Sequence, residues 1–84
     1  MSLNNQDLNN ELLSQIDQLH TTDLGVLRIK KNLSLDTDDV ILWCLEKIQD
    51  SSSIVTRKGK NYYVSVDQYI ITINAYNMTI ITAH

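Results

Sequence analysis

The stretch Ile54-Val55-Thr56-Arg57-Lys58-Gly59-Lys60-Asn61-Tyr62-Tyr63-Val64-Ser65-Val66-Asp67-Gln68-Tyr69-Ile70-Ile71-Thr72-Ile73-Asn74-Ala75 decides the fold. β-Branched residues and tyrosine dominate it, and side-chain character alternates with a period of two, as in strands half buried on one face. Lys58-Gly59-Lys60-Asn61 reads as a turn in which Gly59 is free to take a positive φ. Asp67-Gln68 reads as a second turn and Tyr76-Asn77 as a third. Four strands follow, over 54–58, 62–66, 69–75 and 78–84. Connections this short make sequence neighbours antiparallel, so the segment is a β-meander. With Tyr76 and Asn77 as a two-residue loop, Ala75 faces Met78, Ile73 faces Ile80, Ile71 faces Thr82 and Tyr69 faces His84, on the side turned to the helices. Asn74–Thr79, Thr72–Ile81 and Ile70–Ala83 pair on the opposite, mixed side. A slip of one residue would exchange the two sides.

Upstream of Ile54 the period changes. Leu8, Leu12, Ile16 and Leu19 recur at helical spacing and predict a helix over about 7–19. Thr21 and Thr22 interrupt that stripe and can cap a second helix over about 23–31, whose apolar positions are Val26, Ile29 and Leu33. Gly25 weakens its first turn, and Asn32 can end it in a left-handed conformation. Asp36 or Thr37 is the expected cap of a third helix. Asp38 and Asp39 fall in its first turn, where carboxylates complement the helix dipole. Its broad apolar face is Val40, Ile41, Cys44, Leu45 and Ile48. Helices followed by strands imply an α+β fold: two or three N-terminal helices packed on one face of a four-stranded antiparallel meander. The chain reads as one domain over residues 1–84, with helices in about 7–50 and strands in about 54–84.

Composition narrows the function classes. The chain has 84 residues, 43% of them hydrophobic, which makes one domain with a thin core. No apolar run approaches the ~20 residues of a membrane span, and the polar first ten residues do not read as a secretory signal. A single cysteine, Cys44, cannot form an internal disulfide and fits a reducing, cytoplasmic setting. Its place on an apolar helix face favours packing over nucleophilic chemistry. His20, His84 and Cys44 are too few and too scattered for a zinc motif. The acidic knot Asp36-Thr37-Asp38-Asp39 lacks the later glycine and distal glutamate of a calcium loop. No metal and no cofactor is implied.

A net charge of −3 gives no long-range attraction to nucleic acid. Six of the seven basic residues nevertheless lie in two short runs, Arg28, Lys30, Lys31 and Arg57, Lys58, Lys60. The second run is a basic turn suited to phosphate. His20 ends the first predicted helix and His84 the last strand. Two imidazoles can share RNA cleavage, one deprotonating the 2′-hydroxyl and the other protonating the leaving 5′-oxygen, with Arg28 as the stabilising cation. The same residues also have a purely structural account, as a helix end, a strand end and a solvated hairpin tip. The rival expectation is a non-enzymatic protein–protein interaction module that self-associates through its sheet. Ile70 and Ile81 would lie on its outer face, and the last strand would be an open edge. A small-molecule pocket between helices and sheet is a third, with no residue that singles it out.

His20-Thr21-Thr22-Asp23-Leu24-Gly25, Arg28-Ile29-Lys30-Lys31-Asn32-Leu33, Leu35-Asp36-Thr37-Asp38-Asp39-Val40 and Trp43-Cys44 resemble domain-of-unknown-function family 3781, an uncharacterised family of small bacterial proteins. Arg57-Lys58-Gly59-Lys60-Asn61-Tyr62-Tyr63-Val64, Ile71-Thr72-Ile73-Asn74-Ala75-Tyr76 and Thr79-Ile80-Ile81-Thr82-Ala83-His84 extend the resemblance over about residues 12–84. It implies relatives without implying an activity. A looser likeness of pattern reaches the RelE/BrnT-type toxin ribonucleases, small α+β proteins that cleave RNA without metal. It implies a metal-independent endoribonuclease with His20, Arg28, Thr82 and His84 as the catalytic set, and Arg57, Lys58 and Lys60 at the phosphates. Those nucleases are usually basic and carry two leading helices, whereas this chain is acidic and carries three.

Overall fold

The computed structural model describes residues 5–84 other than Asp38, with side chains from Asp7 onward. The first apolar stripe is divided between two elements. α1 (Asn5–Leu13) carries Leu8 and Leu12. The Ser14 hydroxyl then donates back to the Glu11 carbonyl at 2.7 Å, a local bond that competes with further helix. The chain tightens into a 3₁₀ turn (Ile16–Gln18) and delivers Leu19 to the core.

α2 (Asp23–Leu33) begins where Thr22 accepts the Gly25 N–H at 3.0 Å. It ends at Ser34, in the left-handed region at φ 53°, rather than at Asn32. Asn32 stays helical, and its amide donates to Thr82 Oγ1 and to the Ala83 carbonyl, both at 3.3 Å. α3 (Val40–Ile48) is capped by Asp39, which accepts the Leu42 N–H at 3.0 Å; Asp36 and Thr37 do not cap it. Asp39 is therefore the cap and not a first-turn residue, and Asp38 lies outside the described residues. Cys44 is fully buried, and burial pushes its thiol up to about 12.

The strands are β1 (Ile54–Lys58), β2 (Asn61–Val66), β3 (Tyr69–Asn74) and β4 (Ile80–Ala83). They form one antiparallel sheet in the order β1-β2-β3-β4, completing the α+β arrangement. Val55, Val64, Ile71 and Ala83 align across it as one row, and Tyr62, Ile73 and Ile80 as the next. These rows are sealed against Leu12, Ile29, Val40, Cys44 and Ile48, which places the core between this inner face and the helices.

The last hairpin corrects the predicted register. Ile73 faces Ile80, and the Asn74 N–H donates to Thr79, as the pattern requires. Beyond them Ile81 is an extra residue, a β-bulge. Thr72 therefore pairs with Thr82 and Ile71 with Ala83, while Ile70 and His84 exchange backbone hydrogen bonds at 2.7 and 3.0 Å. Thr82 and His84 thus change sides, from the helix-facing side to the outer face.

The expected open edge on β4 is also corrected. His20 lies beside Thr79 in a parallel bridge. Its N–H donates to the Met78 carbonyl at 3.1 Å, and its carbonyl accepts the Ile80 N–H at 2.7 Å. The Thr21 hydroxyl donates to the Ile80 carbonyl at 2.8 Å. Together with Asn32 these groups occupy the edge that a further strand would need. A Cβ on Gly25 would overlap Thr21 Oγ1, so glycine is what lets α2 start this close to β4.

Candidate functional site

Alternation along four paired strands leaves a second sheet face, which no helix of the described residues covers. One row across it is Ile54, Ser65, Ile70 and His84, and the middle row is Thr56, Tyr63, Thr72 and Thr82. Lys58, Asn61, Asn74 and Thr79 make the third. Ile54 is 54% exposed, and Ile70 and the bulged Ile81 are each 38% exposed. No acidic side chain lies on this face among the described residues, and Lys58 at one corner is its single Lys or Arg. After Ile54 the sequence holds one acidic residue, Asp67. It sits in the β2–β3 turn and pairs with Lys47 of α3 at 2.9 Å, on the helical side. That hydrogen bond, first among several causes, raises the Lys47 pKa.

The proposed catalytic residues are spread over this architecture. His20 is exposed, but both its ring nitrogens are engaged: Nδ1 lies 2.8 Å from the Gln18 carbonyl and Nε2 2.9 Å from Thr79 Oγ1. A carbonyl only accepts, so Nδ1 donates to it, and Nε2 shares a hydrogen bond with the Thr79 hydroxyl. Hydroxyl, imidazole and carbonyl stand in the order of an activated nucleophile. Here the same two segments are also laddered backbone to backbone, so the ring contacts secure the edge of β4.

His84 lies at the other end of that strand. Thr79 is opposite Asn74 and His84 opposite Ile70, four residues apart on β3. At about 3.4 Å per residue that is roughly 14 Å. With its ring pinned locally, His20 does not meet His84. Thr82 shares the outer face with His84 and accepts from Asn32. Arg28 is exposed on α2, and among the described residues it makes no hydrogen bond with His20.

The basic turn is better organised. The Arg57 guanidinium lies 5.3 Å from the Tyr62 ring centre and 5.7 Å from that of Tyr76, and its Nε donates to the Gly59 carbonyl at 2.9 Å. The Ala75 N–H donates to the Lys60 carbonyl at 2.8 Å, which ties the β3–β4 loop to the basic turn. Lys58 and Lys60 are exposed, as is Tyr76 at 76%. The three cations share a corner but not a face: Arg57 pairs with Tyr62 on the inner side, while Lys58 points out. Tyr62 itself is held up to about 12 by burial first, then by the Glu11 carboxylate.

A shallow hollow of about 220 Å³ is lined by Thr37, Asp39, Leu42, Trp43 and Glu46. It is smaller than the roughly 300–1,000 Å³ of small-molecule sites. Among the described residues no group of three or more His, Cys, Asp or Glu could hold a metal ion, and no helix is long and apolar enough to cross a membrane. Sequence reasoning missed Thr79 and Tyr76. Thr79 meets His20 only through a contact spanning 59 residues. Tyr76 could have been noticed as an aromatic in a loop beside a basic turn.

The model of the DUF3781 family, described as a protein of unknown function, matches residues 13–84. The chain belongs to the DUF3781 family. No curated protein and no solved structure matches it. Membership bears out the resemblance read from the segments around His20, Trp43 and Arg57. The DUF3781 description names no activity, so it lends none to the ribonuclease likeness.

Proposed function

We propose that this chain is a non-enzymatic protein–protein interaction module that docks through the outer face of its sheet. One observation carries the reading: a four-stranded face bearing Ile54, Tyr63 and Ile70, with no acidic side chain among the described residues, in a chain that is 20% charged. Solvated sheet faces are ordinarily polar, and interface cores are depleted of charge and enriched in aromatic residues. A photo-crosslinking amino acid placed at Tyr63 in living cells is expected to capture protein. The same group at Gln49, exposed beyond α3, captures none. Equal capture from both positions overturns the reading.

RNA binding at the basic turn is a second reading with its own support, the guanidinium 5.3 and 5.7 Å from the Tyr62 and Tyr76 ring centres with Lys58 and Lys60 in the same turn. Exposed aromatic and cationic groups together suit a single strand. It predicts salt-dependent binding of short single-stranded RNA that Lys58→Glu with Lys60→Glu abolishes. Cleavage by His20, Arg28, Thr82 and His84 is the finer proposal and needs two imidazoles at one phosphate. Roughly 14 Å of strand between them is why the interaction reading is preferred. Purified protein is expected to leave RNA intact at neutral pH, with and without divalent ions. Cleavage that His20→Ala abolishes would reverse that preference.

A further inference from the structure

We infer that the occupant of the outer face is a second copy of this chain, laid face to face about a two-fold axis. The inference rests on the interaction reading and adds the identity of the partner. Charge is the first argument. With ten acidic against seven basic residues, copies repel one another in most orientations. The described acidic side chains lie on the helical layer or in turns, and none lies on the outer face. Stacked sheets pack about 10 Å apart, so a sheet-to-sheet pair holds the two acidic layers beyond the ~8 Å screening length of physiological salt.

Chemistry is the second argument. A two-fold contact sets a patch against itself, so the patch must complement itself. Two of its three rows carry the hydroxyls of Thr56, Tyr63, Ser65 and Thr82, each of which both donates and accepts, beside His84 and a buried Thr72; the third row holds Lys58, Asn61, Asn74 and Thr79. Self-pairing of the two hydroxyl-bearing rows therefore sets no Asp, Glu, Lys or Arg against its like, and Lys58 stays at the corner, on the third row. Among the described residues of this face, a nucleic acid would find Lys58 alone of the lysines and arginines to neutralise its phosphates. Growth of the sheet through β4 is closed, because His20, Thr21 and Asn32 hold that edge.

Size then sets the strength. Four strands about 4.8 Å apart and six residues of about 3.4 Å give a face of roughly 400 Å². That is about half of the ~800 Å² per partner of a standard interface, so the pair is weak and reversible.

Sedimentation of the purified chain from about 10 μM to about 1 mM covers the range such an interface requires. The apparent mass is expected to rise from 9.6 kDa towards twice that value. Thr56→Glu with Ser65→Asp, both at exposed positions, sets four like charges across the pair and is expected to weaken association at least about tenfold. Ile70→Ser repeats the test without adding charge, and circular dichroism checks that each variant is folded. Leu27→Glu, on α2 at a position 65% exposed, leaves association unchanged. A monomer over the whole range overturns the inference, as does equal harm from Leu27→Glu. The crosslinker at Tyr63 separates the two levels. Capture of a second copy supports the inference. Capture of a different protein overturns it and leaves the interaction reading standing. Capture of RNA overturns both.

Discussion

Ile70 and Ile71 are adjacent in sequence and sit on opposite faces of one strand. Ile71 is fully buried among Val55, Val64 and Ala83, while Ile70 stands 38% exposed between Ser65 and His84. The same side chain serves the core on one face and is left for a partner on the other. What separates the faces is their surroundings: the inner one has three helices above it, and the outer one has hydroxyls and, among the described residues, no acids. Apolar content alone therefore does not say which surface a strand gives to the fold.

The contrast can be broken most directly at that pair. Ile71→Ala is expected to cost about 2–5 kcal/mol, through lost burial and an unfilled cavity. Ile70→Ala should stay within about 1 kcal/mol, because much of its surface is already in water. Denaturant unfolding measures both, and equal losses would mean the faces do not differ as described.

Alkaline pH tests the inner layer. Burial raises the Cys44 thiol from 9.0 to about 12, and burial with the Glu11 carboxylate raises Tyr62 from 10.0 to about 12. Both groups ionise first in the unfolded chain. Their stabilisation is complete below about pH 9 and is lost as pH rises towards 12. The urea midpoint should hold up to pH 9 and fall above it, and Tyr62→Phe should remove part of the fall. Thiol reagents should label Cys44 only as fast as the protein opens.

Gly25→Ala probes how tightly α2 seats beside β4. Its Cβ would displace the Thr21 hydroxyl from the Ile80 carbonyl, with an expected loss of about 1–3 kcal/mol. An unchanged midpoint would show that Thr21 yields freely. The smallest effect lies at the β2–β3 turn, where Asp67 and Gln68 hold φ values of 50° and 71°. Gln68→Gly should gain about 0.5–1 kcal/mol, since only glycine takes that region without strain. The gain should leave self-association untouched.

The change of period at Ile54 was legible because helix and strand impose different spacings on the same apolar residues. The meander followed from short turns, and Cys44 read correctly as core. The bulge did not. Thr79-Ile80-Ile81-Thr82-Ala83-His84 places two isoleucines in succession, so alternation fits either side and only packing chooses. The break after Leu13 was hidden for a similar reason. Helical spacing of apolar residues continues through Ile16 and Leu19, although the helix itself stops at Leu13. At the candidate site the basic turn was legible as a run of charges. The engagement of His20 by Thr79 was not, because it joins residues 59 apart in the chain. The separation of His20 from His84 depended on that same bridge.

That bridge also has a consequence for the order of events during synthesis. The hydrogen bonds that His20 makes with Met78, Thr79 and Ile80 cannot form until β4 has been made, about 59 residues later. Closing so long a loop is slow compared with forming a local hairpin. The meander can zip up strand by strand as it emerges, whereas the docking of His20 is a late latch that joins the two ends of the topology. An Ile80→Pro variant, which removes the N–H that the His20 carbonyl accepts, should slow that final step more than the earlier ones.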